Sequence, residues 1–150
     1  MLKLMYITNV PEIASIADRA GVDRIFIDLE QYGKEKRQKN WDSVKSKHSI
    51  SDIPKVKASV KNAQIFVRTD PVFDGFADEL ESVLACRPDV VMLPYFKTVR
   101  EVETFIKAVD GKARTSILLE TREAAELIDD IISVGGIDEI HIGLNDLSHS

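Results

Sequence analysis

Short apolar runs recur along the chain: LKLMYIT (2–8), RIFIDLE (24–30), AQIFVRTD (63–70), DVVMLPYF (89–96), RTSILLE (114–120) and IDEIHIGL (137–144). Most stay apolar over four to six residues without strict alternation, the pattern of strands buried on both faces of a parallel sheet. Between them the period changes to 3.6. PEIASIADRAG opens with Pro11, places Ile13, Ile16, Ala17 and Ala20 on one face and stops at Gly21. FADELESVLACR, TVREVETFIKAVDG and REAAELIDDIISVGG each read as one helix, the last two ending at glycine. Strand ends fall near 8, 30, 70, 96, 120 and 144, so four of the five intervals match a βα unit of about two dozen residues; the second is lengthened by an insertion.

Strict alternation of strand and helix predicts a parallel α/β sheet, either open and doubly wound or closed as a (β/α)₈ barrel. No G-x-G-x-x-G turn follows a strand, so a dinucleotide-binding version has no support. In both architectures ligands bind at the C-terminal ends of the strands, where Asp28, Glu30, Arg68, Asp70, Glu120, Asn145 and Asp146 fall. Polar residues end at least four of the six strands, whereas a doubly wound site concentrates around one crevice. A curled sheet in the order 1-2-3-4-5-6 is therefore expected, with Arg68, Glu120 and Asp146 on one rim.

Composition narrows the class. One hundred and fifty residues, 44% apolar and 30% charged, suit one soluble domain with a real core. No apolar run approaches the roughly 18 residues of a membrane span, and MLKLMYITNVPE lacks the pattern of a signal peptide. Cys86 is the single cysteine, so no intrachain disulfide can form and a cytoplasmic protein is expected. The net charge of −5 argues against a nucleic-acid partner. That charge is uneven: residues 33–61 hold nine Lys/Arg against three Asp/Glu.

The rim residues carry the candidate chemistry. Glu120 and Asp146 end adjacent strands, about 4.8 Å apart in a parallel sheet, so two carboxylates can converge on a hard divalent cation. The competing reading is that each caps the helix that follows. Arg68 ends the third strand and can bind a carboxylate or steady an oxyanion. It can equally serve as an ion pair with Asp70 or Glu30.

IFIDLEQ, FVRTDP, VVMLPYF, ILLETREAAELIDDI and GIDEIHIGLNDLS, in that order from Gly21 to Ser150, resemble the HpcH/HpaI aldolase and citrate lyase β-subunit family of pyruvate/phosphoenolpyruvate-domain aldolases. The resemblance implies a TIM barrel of about 250 residues, so residues 1–150 would be a single barrel domain with six of eight βα units, incomplete at its C-terminal side. It implies a carbon–carbon lyase of the class II aldolase type, which forms or cleaves a 2-keto acid through a pyruvate-type enolate held by a divalent metal. Matched motif to motif, the metal ligands are Glu120 and Asp146, with Mg²⁺ expected and Mn²⁺ or Co²⁺ as substitutes. Arg68 would bind the keto acid and steady its enolate, and backbone amides near Pro94 and at Gly143-Leu144 would lie by the substrate carboxylate. The expected partners are a small 2-keto acid or acyl-CoA substrate and further copies of the chain, with neither nucleic acid nor membrane.

One part of the pattern departs from the aldolases. Their base is a histidine at the position of Gln31 in DLEQ, and its acid partner falls on Ala85. Neither glutamine nor alanine accepts a proton at neutral pH. Glu30 or a cation-bound water would have to substitute. Two alternatives follow: a citryl- or malyl-CoA-type acyl-CoA lyase, whose branch reads Asp-Leu-Glu-Asp, and a catalytically silent keto-acid-binding homologue. The basic insertion could embrace a phosphate-bearing substrate through Lys34, Lys36 and Arg37, though a solvated helix and loop is the favoured reading. Trp41 is expected to pack on the barrel, His141 in the core, His48 and His149 at the surface, and Cys86 at a packed helix end.

Overall fold

The computed structural model describes residues 2–31 and 47–148. Six strands alternate with helices: β1 (Met5–Ile7), α1 (Pro11–Arg19), β2 (Arg24–Asp28), α2 (Asp52–Ser59), β3 (Gln64–Arg68), α3 (Phe76–Ala85) and β4 (Val90–Leu93). They continue with α4 (Val99–Val109), β5 (Arg114–Leu119), α5 (Arg122–Glu126), α6 (Ile128–Ser133), β6 (Glu139–Ile142) and α7 (Leu144–Leu147). The strands form one parallel sheet, as the alternation predicts, in the order β1-β2-β3-β4-β5-β6 expected of the curled form. Local signals start and stop the helices. Pro11 opens α1, while Thr98 and Glu101 form a reciprocal capping box at α4. Asp110 then ends α4 in the left-handed region, φ 50°.

The sheet curls. A flat sheet would hold β2 and β6 roughly 19 Å apart, four strand spacings, beyond the reach of two side chains. Yet Arg24 of β2 grips Glu139 of β6 through two hydrogen bonds of 2.6 Å. The strands therefore bend into a half-barrel with an inside and an outside. Outward residues, among them Ile25, Ile65, Val67, Val91 and Ile117, pack under the helices with Phe76, Leu80 and Phe105. Inward residues form a separate apolar plug: Phe26, Phe66, Val90, Met92 and Leu118. Phe26 and Phe66 meet edge to face, with centroids 5.1 Å apart.

Three expectations need correction. The helix read across 122–136 is two, divided at Leu127, whose amide bonds back to Ala124 at i−3. The strand read as buried on both faces at 2–8 is short, and Met5, Tyr6 and Ile7 are all exposed, because β1 pairs with β2 alone among the described residues. His48, read as a surface residue, is only 3% exposed. Cys86 caps α3 as expected, whereas His141 is only half-buried. Lys34, Lys36, Arg37, Trp41 and His149 lie outside the described residues.

Candidate functional site at the C-terminal rim

Register places the first pair. Asp28 and Arg68 are Cα partners in β2 and β3, so both side chains leave the same face at the same height. Asp28 takes Arg68 in a fork, Nε to Oδ1 at 2.9 Å and Nη2 to Oδ2 at 2.8 Å. Glu30 Oε2 lies 3.4 Å from Nη1, and the guanidinium rests over the Phe26 ring at 5.5 Å. Burial works against the charge, but Asp28, Glu30 and Glu120 outweigh it and raise the Arg68 pKa. Of the two ion-pair partners read for Arg68, Glu30 makes the contact and, among the described residues, Asp70 does not. Asp70 Oδ1 instead accepts the Gln31 amide at 2.6 Å.

Glu120 follows the last residue of β5 and is 5% exposed. Its Oε1 accepts the Tyr95 amide at 2.9 Å, an approach that Tyr95 makes with φ 48°. Burial pushes the Glu120 carboxyl up to about 7, and the charges of Glu30 and Asp146 add to that push. It does not cap the next helix, because Thr121 holds that position and accepts the Ala124 amide at 3.2 Å. Asp146 lies in the first turn of α7, not at its N-cap, which is Gly143. Close packing then seats Glu120 against β6. A Cβ on Gly143 would lie 2.7 Å from Glu120 Cβ and 3.0 Å from Oε2.

Arg68, Glu120, Gly143, Leu144 and Asp146 line one cavity of about 430 Å³, with Phe26, Met92 and Leu118 among its other walls. His141 also reaches this wall, a position its expected core role does not describe. The other sequence candidates fall around this cavity and not on its wall. Pro94 is buried after β4, and the first amide beyond it, that of Tyr95, is committed to Glu120. Glu30 is 6% exposed behind Arg68. Gln31 is exposed, and its side-chain Nε2 turns to the His48 carbonyl at 3.5 Å. Ala85 sits exposed at the end of α3.

Sequence reasoning missed two contributors. Asp28 was visible as a polar strand end, but its role as the Arg68 anchor depends on register between strands 40 residues apart. Tyr95 carried no signal, because only its main chain acts.

The donor set fits a hard divalent cation on two grounds: its ligands are oxygens, and the Glu120 carboxyl is buried close to the negative charges of Glu30 and Asp146, which a cation would offset. Among the described residues no group of three His, Cys, Asp or Glu is gathered as a ready cage. Glu120 and Asp146 would supply two ligands and leave further positions open.

Sheet order, curl and rim define an α/β half-barrel of the TIM type with its polar residues gathered at the strand C-termini. Residues 3–150 match the HpcH/HpaI aldolase/citrate lyase family, and the chain belongs to it. Among solved structures it is similar to an HpcH/HpaI aldolase/citrate lyase family protein from Burkholderia cenocepacia J2315 (TM-score 0.75, 14% identity, 99% of this chain and 65% of that one). It is also similar to an HpcH/HpaI aldolase from Desulfitobacterium hafniense DCB-2 (0.73, 16%, 98% and 64%). A third is the citrate lyase β-subunit from M. tuberculosis, complexed with oxaloacetate and magnesium (0.59, 21%, 97% and 59%). At these identities the likeness establishes the fold. The chain spans less than two thirds of the length of each of these three relatives. No curated protein sequence matches it. No helix among the described residues is long and apolar enough to cross a membrane.

Proposed function

We propose that the chain forms the site of a divalent-metal-dependent carbon–carbon lyase, which forms or cleaves a 2-keto acid through a pyruvate-type enolate. The observation that carries this reading is the meeting of Arg68 from the end of β3, Glu120 just past β5 and Asp146 from the first turn of α7 on one cavity. Family membership supports a lyase or aldolase role, and the oxaloacetate and magnesium in the M. tuberculosis structure support a keto acid and Mg²⁺, with Mn²⁺ or Co²⁺ as substitutes. Residues 1–150 are read as one barrel domain that further βα units complete.

Glu120 and Asp146 hold the cation, which when bound supplies Lewis-acid stabilisation to a keto oxygen. Arg68 receives the substrate. Asp28 and Glu30 occupy three of its five N–H donors, so two remain for a carboxylate or for the oxyanion that develops as a bond breaks. The Leu144 amide and the chain around Pro94 border the carboxylate end, while the Gly143 amide, also expected there, donates to the Leu119 carbonyl at 2.9 Å. The base for a substrate hydroxyl, a role that Gln31 and Ala85 cannot fill, would be Glu30, reached past Arg68, or a cation-bound water, while Gln31 contributes hydrogen bonds only. The acyl-CoA version of the reading rests on Lys34, Lys36 and Arg37, outside the described residues. The silent version keeps the same ligands without turnover. The reading places the protein in the cytoplasm as a homo-oligomer.

Deuterium exchange at the pyruvate methyl, followed by NMR with Mg²⁺, Mn²⁺ or Co²⁺, tests the reading. Exchange should need the cation and fall by about 100-fold or more in Arg68→Ala and Glu120→Ala. Oxalate and cation binding without exchange would leave only the silent homologue. Absence of both binding and exchange would remove the proposal.

A further inference from the structure

We infer that His48 is a positioning residue for Arg68, acting through the hydrogen bond between its ring and the main chain of Asp28; this rests on the role proposed above for Arg68. Thr8 N reaches Phe26 O at 3.2 Å, the last rung of β1 on β2. The next donor up that edge of β2 is the Asp28 N–H, which lies beyond the last β1–β2 pair, Ile7 with Phe26. His48 Nδ1 supplies the acceptor at 2.9 Å.

The ring is placed by built structure. Asn9 Nδ2 donates to Lys47 O and to Asp52 Oδ2, Ser49 N donates to Asp52 Oδ2, and Gln31 Nε2 donates to His48 O. Residues 47–49 are thus tied to the tops of β1 and β2 and to the start of α2. Accepting at Nδ1 fixes the tautomer: Nδ1 bears the lone pair and Nε2 the proton. The bond holds the backbone of Asp28, whose two carboxylate oxygens set the plane of the Arg68 fork. Gln31 thereby gains a role. Where the aldolase pattern has a base, this chain has an amide that braces the segment carrying a different histidine.

The full chain is compared with His48→Leu, which removes the acceptor, and His48→Asn, whose Oδ1 stands one bond beyond Cγ as Nδ1 does. Scalar coupling across the hydrogen bond between the Asp28 amide nitrogen and His48 Nδ1 should be present in the unaltered protein, with Nε2 protonated. The Arg68 Nε–H resonance should lose exchange protection in His48→Leu and keep it in His48→Asn. With pyruvate and Mg²⁺, kcat/KM for methyl exchange should fall about tenfold or more in the leucine variant and recover to within about threefold in the asparagine variant. Absence of the coupling would overturn the inference, as would equal Arg68 protection in all three proteins. If the unaltered protein performs no exchange, the functional proposal fails by itself and the two NMR readouts still decide the role of His48.

Discussion

At the scale of single residues, Gly143 shows how little room the rim leaves. Its φ of −91° is open to any amino acid, so the requirement is space and not backbone freedom. An added Cβ would press on Glu120 Cβ at 2.7 Å, and the carboxylate must move. Gly143→Ala should cost about 1–3 kcal/mol of stability by overpacking and weaken Mg²⁺ binding by about tenfold, read by urea unfolding and titration calorimetry. Unchanged values for both would show that Glu120 can shift freely. Glu79 is a second test. Its Oε1 accepts the Asp70 amide at 3.3 Å, while its buried Oε2 has no hydrogen-bond partner among the described residues. Burial, reinforced by the Asp70 charge, pushes this carboxyl up to about 7. The folded state therefore keeps a proton that the unfolded chain releases above its ordinary carboxylate pKa, and stability falls as pH rises from there through about 7. Relative to the unaltered protein, Glu79→Gln should gain on the order of 1 kcal/mol between pH 5 and pH 8. Urea midpoints at the two pH values check this; a difference independent of pH would rule it out.

At the scale of elements, the strands were legible and their partners were not. Runs such as IFID and VVML announce buried strands by local pattern, and the polar residue that ends each run marks the rim. That logic located Arg68, Glu120 and Asp146 before any register was known. It failed where burial is decided at long range. His48 lies in a polar stretch, and only the ties to Asn9, Asp28 and Gln31 turn it inward. The apolar spacing from Ala124 to Ile131 fits one helix as well as two; the tightened turn at Leu127 is a tertiary adjustment that leaves Ile131 buried and Ile132 exposed. The Arg24–Glu139 pair was equally hidden, although it ties the second strand to the sixth. Glu139 is held down to about 2, chiefly by hydrogen bonds from Arg24. A depressed carboxylate contributes stability above its ordinary pKa and loses it as pH falls toward the folded value, here between about 4.5 and 2. Glu139→Gln leaves Arg24 buried without its partner and should cost about 3 kcal/mol at pH 7, and much less at pH 3. A cost equal at both pH values would mean that the pair is not what holds the curl.

At the scale of the whole molecule, the half-barrel leaves two edges whose sides differ. Among the described residues β1 pairs only with β2, and β6 only with β5. Tyr6 and Ile7 on one edge, and Ile140, Ile142 and Leu144 on the other, are 41–72% exposed. Exposed apolar side chains beside unpaired strand amides and carbonyls form a template for another strand. The ionic clamp at Arg24 and the Phe26–Phe66 plug hold the curl from inside but cover neither edge. These 150 residues alone should therefore self-associate at about 100 µM, seen by sedimentation and light scattering, and should bind a hydrophobic dye. Replacing Tyr6 and Ile142 by lysine should reduce association without loss of helical circular dichroism, because neither side chain belongs to the core between sheet and helices. A monomer with cooperative unfolding and ordinary domain stability would show that the edges are inert. In that case the clamp and the outer core alone would account for the folded state.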